Sequence, residues 1–210
     1  MSLQKRLMDI CLALVLGTVL LPVMLILALA VLIKDGRPVF YRSERMKRPD
    51  TPFMLWKFRT MTEVANDSGV TAGYKAARVT KMGQWLRRRR LDELPQLINI
   101  LRGDMSFVGP RPPLRCYVDM HPALYARVLQ NRPGVTGLAT LYFHHKEEQL
   151  LAACGSAQES EALYIHRCIP VKARLDLIWA KNQSLCYDAQ LITETARRFF
   201  SRHAAKPRNK

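Results

Sequence analysis

The residues best suited to chemistry in this chain lie in Leu86 to Gln96, LRRRRLDELPQ, where four arginines run straight into Asp92 and Glu93. A run of like charge is ordinarily a solvated or polyanion-binding face. An Asp-Glu pair at a helix start ordinarily answers the helix dipole or caps the helix. Capping explains little here, because a capping box wants Glu or Gln three residues after Asp92 and that position is Pro95. The alternative is phosphate chemistry. Guanidinium forks match phosphate oxygens bidentately. An arginine-lined pocket is expected to lower the pKa of a neighbouring carboxylate and keep it ionised, the state a nucleophilic aspartate needs. A carboxylate attacking phosphorus gives an aspartyl-phosphate, and Mg²⁺ held by one or two carboxylates plus phosphate oxygens suits that reaction. Four consecutive positions of a straight helix fan over about 300°, so one or two arginines can face inward and the others are expected to meet lipid headgroups.

The pair needs elements to hold it. Leu91, Leu94, Leu97, Ile98 and Leu101 recur at helical spacing, with Pro95 tolerated in a first turn and Gly103 as the C-terminal cap. Upstream, turn signals at Asp35-Gly36 and Arg48-Pro49-Asp50 accompany Val39 to Tyr41 and Phe53 to Trp56, which read as a β-hairpin. Glu63 to Gly73 reads as a polar loop, and Lys75 to Arg90 holds seven basic residues and no acid. Downstream, Ser106 to Val108 is short and apolar, and Gly109 to Pro113 is a rigid turn presenting Arg111. A helix over Pro122 to Gln130 ends at Arg132-Pro133-Gly134. After a polar connection near Gly155-Ser156, a long helix is expected from about Lys172 to Phe200. Its stripe is Leu175, Ile178, Trp179, Leu185, Leu191, Ile192 and Phe199. The basic tail from Arg197 is expected to be disordered or to lie on anionic lipid.

Ile10 to Ile33 carries no charge and is long enough for burial in a bilayer. Pro22 divides it into halves that as helices reach about 18 Å each, short of the ~30 Å hydrocarbon core. Basic residues flank both ends, so a re-entrant helix-break-helix at Pro22 with both ends cytoplasmic is the expected course. A kinked single span remains open, since proline is tolerated in spanning helices. A secretory signal fits poorly, because the apolar run is too long and a basic block follows it.

Bulk composition agrees with one compact domain plus attachments: 210 residues, 49% hydrophobic, with a net charge of +16 that draws the chain to phosphate in some form. Nucleic acid is disfavoured by the membrane segment and by carboxylates inside the basic patch. Five scattered cysteines and five histidines show no disulfide framework or zinc pattern.

LDELPQLINILRGDMSFVGPRP at Leu91 to Pro112 resembles the bacterial sugar transferase family, the small monotopic phosphoglycosyl transferases. Lys57-Phe58-Arg59-Thr60-Met61, Arg132 to Gly137 and the apolar segment broken at proline carry the same likeness. The likeness implies an α+β fold, mostly helical with a short β-hairpin. It is divided into a membrane anchor over 1–34, a catalytic domain over 35–196 and a basic tail over 197–210. It implies an enzyme of the bacterial inner membrane, at its cytoplasmic face, that moves a sugar-1-phosphate from a UDP-sugar to a polyprenyl phosphate with release of UMP. Asp92 matches the nucleophile, and Glu93 the second acid of the dyad. Both are implied Mg²⁺ ligands. Arg87, Arg111 with its flanking Pro110 and Pro112, Lys57 and Arg59 match phosphate- or substrate-binding positions. Membrane lipid is an implied partner, nucleic acid is not, and a homodimer is left open. A membrane-anchored binding or scaffold protein without catalysis is the rival.

Two positions depart from the family pattern. Leu21 stands before Pro22 where many relatives have serine. Gly137 to His145 replaces the common Gly-Trp-Ala-Gln-Val-Asn-Gly-Arg, so contacts to sugar or nucleotide in that segment do not carry over. On a continuous helix Arg87 and Asp92 would lie about 140° apart, so their convergence requires a break between Arg88 and Leu91.

Overall fold

The computed structural model describes residues 2–62 and 78–204. The loop expected over Glu63 to Gly73, Lys75 of the basic run, the Phe199 side chain and the tail beyond Ala204 lie outside the described residues. The chain runs α1 (Leu3–Asp35), β1 (Phe40–Arg48), β2 (Thr51–Phe58), α2 (Lys81–Arg88), a 3₁₀ turn (Leu91–Glu93), α3 (Gln96–Arg102) and β3 (Ser106–Val108). Then follow α4 (Arg115–Met120), α5 (Pro122–Val128), β4 (Gly134–Thr136), α6 (Leu138–Ala152), α7 (Ala157–Leu163), a π turn (Tyr164–Cys168), α8 (Ile169–Lys181) and α9 (Leu185–Ala204). The fold mixes helix and strand and is mostly helical, as expected.

The hairpin forms where the turn signals place it, with longer strands: β1 and β2 pair antiparallel from Phe40 opposite Phe58 to Arg48 opposite Thr51. A second two-stranded sheet has no counterpart in the sequence reading. Ser106 pairs with Gly134 and Val108 with Thr136, in parallel. Backbones approach so closely there that a Cβ on Gly134 would stand 2.1 Å from the Gly109 nitrogen, so glycine is required. The long helix expected from Lys172 to Phe200 is two helices. α8 stops at Lys181, and Ser184 opens α9 by accepting the Tyr187 amide through its hydroxyl. Polar Asn182-Gln183-Ser184 competes locally with helical hydrogen bonding. Residues 197–204, expected as disordered or lipid-bound tail, continue α9.

Ser2 caps α1, its hydroxyl accepting the Lys5 amide at 3.2 Å. The expected break at Pro22 is not seen: the helix continues through it. The ring removes only the bond to the Thr18 carbonyl, and the turns on either side carry the helix across. At 33 residues α1 is about 50 Å long, and it is long and apolar enough to cross a membrane. Leu14, Val15, Val19, Leu21, Leu25, Ile26 and Leu29 are more than half exposed along it. Such a surface is satisfied by lipid, so the chain is membrane-associated.

Both ends of α1 rest on the same folded body. At its start the Lys5 ammonium donates to the Val108 carbonyl and pairs with Asp188, both residues almost fully buried. Asp9 accepts the Phe107 amide at 3.1 Å, and the Arg6 guanidinium donates to the carbonyls of Ile100 and Leu101 at the end of α3, where a cation is favoured. Ala13 enters a core of Phe53, Leu55, Ile100, Met105, Val108 and Trp179. At the other end Leu27 and Val31 pack with Phe58 and Leu86, and the Asp35 carboxylate accepts the Thr80 hydroxyl at 2.7 Å.

Candidate active site

The arginine run is broken where convergence with Asp92 requires it. α2 ends at Arg88, and Arg90 adopts a left-handed conformation, φ 49° and ψ 22°. A non-glycine residue in that region stores backbone strain of about 1–2 kcal/mol, and such residues cluster at functional sites. The chain then turns through a 3₁₀ helix that carries both acids, and Pro95 precedes α3, which starts at Gln96. Two neighbours hold these turns. Asn99, fully buried, accepts the Trp56 amide at 3.0 Å and donates to the Met54 carbonyl at 2.8 Å, fastening α3 to β2. Gly83 in α2 lies against the Thr60 backbone, where a Cβ would stand 2.1 Å from the carbonyl oxygen. This contact brings the Arg87 Nε to the Thr60 hydroxyl at 2.9 Å.

Glu93 gathers the cations. Its Oε1 accepts from Lys57 Nζ and from Arg111 Nη2, each at 3.0 Å, and Oε2 faces Arg90 Nη1 at 3.6 Å. Burial alone would raise its pKa, but Lys57, Arg111 and Arg90 together hold it far below the ordinary carboxylate range. Asp92 is in the opposite condition. It is buried, 6% exposed, yet makes no hydrogen bond or ion pair with any described residue. Burial pushes its pKa up, and the adjacent Glu93 charge adds to the rise. Lys57, Arg87 and Arg111 act against it from longer range. The lowered pKa expected for the arginine-lined pocket therefore belongs to Glu93 and not to Asp92, because the cations that would depress Asp92 are in contact with its neighbour.

Arg111 is presented as the turn suggested. Pro110 and Pro112 are buried. The Pro110 carbonyl accepts from the Gly134 amide at 2.8 Å and the Pro113 carbonyl from Met46 at 3.0 Å, so the turn is pinned between β4 and β1. The prolines make no side-chain polar contact and act by fixing the arginine between them. Lys57, Arg87, Arg111, Asp92 and Glu93 thus meet, whereas Arg59 does not join them. Its guanidinium donates to the carbonyls of Asp35, Gly36 and Arg37, so its expected substrate role is corrected to one at the C-terminal end of α1. Three carbonyls at the negative end of a helix dipole hold it there. In the arginine run, Arg87 and Arg90 address the site while Arg89 stacks over Trp85 at 4.6 Å. Thr60, Arg90 and Asn99 were not among the expected site residues. Thr60 lies within the Lys57 to Met61 motif, but only the tertiary contact with α2 reveals its use.

For Mg²⁺ the donor set is adequate on one side. Both Asp92 oxygens lack a protein partner among the described residues, and Glu93 Oε2 keeps free lone pairs beside its distant arginine. Among the described residues no cluster of three or more His, Cys, Asp or Glu forms a closed metal cage. A site completed by substrate phosphate oxygens and water is the mode this ion favours.

The site thus sets a buried, unpaired carboxylate beside one neutralised by cations. A family model of bacterial sugar transferases matches residues 1–202, and the chain belongs to that family. It is 38% identical over 171 residues to the UDP-glucose:undecaprenyl-phosphate glucose-1-phosphate transferase of Escherichia coli (strain K12), which covers 78% of this chain and 36% of that protein. The transferase of the same name from Caulobacter vibrioides is 40% identical over 142 residues, 66% of this chain and 53% of its own length. The UDP-N-acetylgalactosamine-undecaprenyl-phosphate N-acetylgalactosaminephosphotransferase of Aeromonas hydrophila is 30% identical over 208 residues, 96% and 45% respectively. The chain thus spans about half or less of the length of these relatives.

Proposed function

We propose that this protein transfers a sugar-1-phosphate from a UDP-sugar to a polyprenyl phosphate at the membrane, through a covalent intermediate on Asp92. The observation that carries this is the contrast between the two acids: Glu93 is neutralised by three cations, and Asp92 is buried without a partner. An Asp92 oxygen attacks the β-phosphorus, forming an O–P bond. The bridging P–O bond to the α-phosphate breaks, and UMP leaves with the bridging oxygen. An oxygen of the polyprenyl phosphate then attacks the same phosphorus and frees the carboxylate, leaving a polyprenyl diphosphate sugar. Arg111 and Arg87 bind the phosphate oxygens, Lys57 balances the charge near both acids, and Glu93 holds Lys57 and Arg111 in place. Burial excludes water, which protects the acyl phosphate from hydrolysis. Asp92 with Glu93 Oε2 is the proposed Mg²⁺ site, where the ion would neutralise the charge of the diphosphate.

The course of α1 is part of the same proposal. Its start is tied to Val108, Phe107 and Asp188 and its end to Phe58, Leu86 and Thr80. Anchoring of both ends to one body supports an anchor that keeps both its ends on the cytoplasmic face of the inner membrane, bringing the site to the acceptor's phosphate. Reporter fusions at Ser2 and at the C-terminus should both report the cytoplasm, and a periplasmic Ser2 would refute this course.

The enzymatic test is UMP release by purified protein in lipid with UDP-sugars, Mg²⁺ and undecaprenyl phosphate. Transfer by the wild type and none by folded Asp92→Asn is expected. Full transfer by the variant would move the chain to a binding or scaffold role.

A further inference from the structure

We propose that the cavity beyond Arg111 receives the hexosyl group of the donor, and that Glu147 and Asp176 on its walls select which sugar is transferred. The proposal rests on the phosphotransfer activity inferred above and extends it to a part of the chain that the family pattern leaves unassigned. The cavity has a volume of about 280 Å³ and lies between the Arg111 turn, α6 and α8. Arg111 belongs to both places: it lines the cavity, and its Nη2 donates to Glu93 at 3.0 Å. A phosphate held by Arg111 for attack by Asp92 carries its sugar through a single ester oxygen. The nucleoside is one phosphate further away. The group nearest the cavity is therefore the sugar.

The walls suit hydroxyl groups better than a base. Three carboxylates line the cavity, from Glu147, Glu148 and Asp176. Uracil offers only one N–H donor, whereas a hexose offers several adjacent hydroxyls that both donate and accept. Glu147 pairs with Lys172 at 2.9 Å, with side chains 14% and 16% exposed, so donor and acceptor stand side by side in a largely dry wall. Asp176 is 7% exposed, and burial raises its pKa to about 7 against the pull of Lys172. It can therefore meet a hydroxyl as donor or acceptor. An aromatic face for a base is less available: of the lining tyrosines, Tyr117 and Tyr125 are 1% and 8% exposed, and Tyr164 is already covered by Lys172 at 5.0 Å and by Tyr117 at 5.1 Å. Glu147 lies on α6, two residues beyond the stretch Gly137 to His145 that departs from the family pattern.

The test compares kcat/KM for UDP-glucose, UDP-galactose, UDP-N-acetylglucosamine and UDP-N-acetylgalactosamine, together with competitive inhibition by UMP, in wild type, Glu147→Gln and Asp176→Asn. The preference for the best donor over the next is expected to fall tenfold or more in at least one folded variant, while UMP inhibition shifts less than twofold. Calorimetric binding of the four donors and of UDP to Asp92→Asn protein reads the same cavity without turnover. There, affinities should differ among sugars, and the differences should shrink when Glu147→Gln or Asp176→Asn is added. Because Glu147→Gln strands Lys172, thermal unfolding checks its fold, and Asp176→Asn decides if it fails. An unchanged donor ranking in the folded variants, or UMP inhibition that weakens in step with donor binding, overturns the proposal. The second result would place the nucleotide in the cavity. A wild type that binds donors selectively but releases no UMP would sink the transferase reading and leave the cavity assignment standing.

Discussion

Glu93→Gln tests the division of labour between the two acids, because glutamine keeps the shape and removes the charge. The wild-type side chain is 10% exposed and takes Lys57 and Arg111 on one oxygen at 3.0 Å each, with Arg90 at 3.6 Å from the other. A hydrogen bond to a charged group contributes about 1.5–3 kcal/mol, and removing one partner of a buried ion pair costs about 3–5 kcal/mol. Arg111, 41% exposed, recovers part of its loss from water, so its share is small. Lys57, 20% exposed, loses the contact that opposes the downward pull of burial on its own pKa. With one amide oxygen remaining as acceptor, the expected loss is about 3 kcal/mol, near the lower end of the range for a broken buried pair. For a chain of this size each kcal/mol lowers the melting temperature by about 2–4 °C, so the variant should melt about 6–12 °C lower. The folded-state pKa of Glu93 lies below its unfolded value. Its stabilisation is therefore fully present above pH 4.5 and is lost as pH falls through the folded value. The gap between wild type and variant should thus hold constant from pH 6 to pH 8, in the flat region above about 4.5, and narrow only in acid. Thermal unfolding followed by tryptophan fluorescence in detergent micelles measures it. A second readout is kinetic. Asp92 loses its like-charged neighbour and gains Lys57 and Arg111, so the acidic limb of kcat/KM should move to lower pH even as the rate falls. A drop under about 2 °C at pH 7, together with an unmoved acidic limb, would refute the electrostatic account of the dyad.

Other substitutions probe separate parts of the argument. Asp92→Asn should abolish UMP release without lowering the melting temperature. Its carboxylate has no protein partner to lose, and its raised pKa means that ionisation in the fold costs stability above that pKa. Gly83→Ala would put a Cβ 2.1 Å from the Thr60 carbonyl. Overpacking of this kind costs about 1–3 kcal/mol, and the displaced α2 should carry Arg87 away and reduce kcat/KM, measured together by melting and UMP release. The folded pKa of Asp176, about 7, lies above its usual 3.8. Wild type should therefore lose stability through this group as pH rises from about 4 to about 7, while Asp176→Asn is spared that loss and is the more stable by about 4 kcal/mol at pH 8. Denaturant titration at pH 5 and pH 8 distinguishes the two. Arg59→Ala removes three carbonyl contacts at the end of α1 and should lower the melting temperature by several degrees, with KM for the donor unchanged in the folded fraction. A raised KM would restore Arg59 to the site.

What could be read in the sequence was mostly what lies close together in it. The Asp-Glu pair, the Pro-Arg-Pro turn, the Gly103 cap (φ 82°) and the hairpin around Pro49-Asp50 are each fixed by neighbouring residues. The β3–β4 pairing joins Ser106 to Gly134, and three-residue strands carry too little pattern to announce a partner so far along the chain. α6 escaped because only Leu138 and Ala139 of its fifteen residues are buried, leaving no apolar stripe to see. Arg59 was misjudged for a related reason. On a strand Lys57 and Arg59, two residues apart, would share a face, but β2 ends at Phe58, and only the fold shows the chain leaving the strand there, with Lys57 turned to Glu93 and Arg59 to the end of α1.

The harder matter is charge itself. Four arginines beside two acids say that cations are near, but not which acid receives them. That choice is made by the left-handed turn at Arg90, which brings Arg90 back toward Glu93, and by Lys57 and Arg111, which arrive from β2 and from the proline turn on the same oxygen. A nucleophile tied to those cations would have its lone pairs engaged before any substrate came. By concentrating them on Glu93, the fold leaves Asp92 without an ion pair among the described residues, the state the proposed nucleophile requires. The same burial that raises the Asp92 pKa makes each of those charges act more strongly once the substrate's negative charge enters.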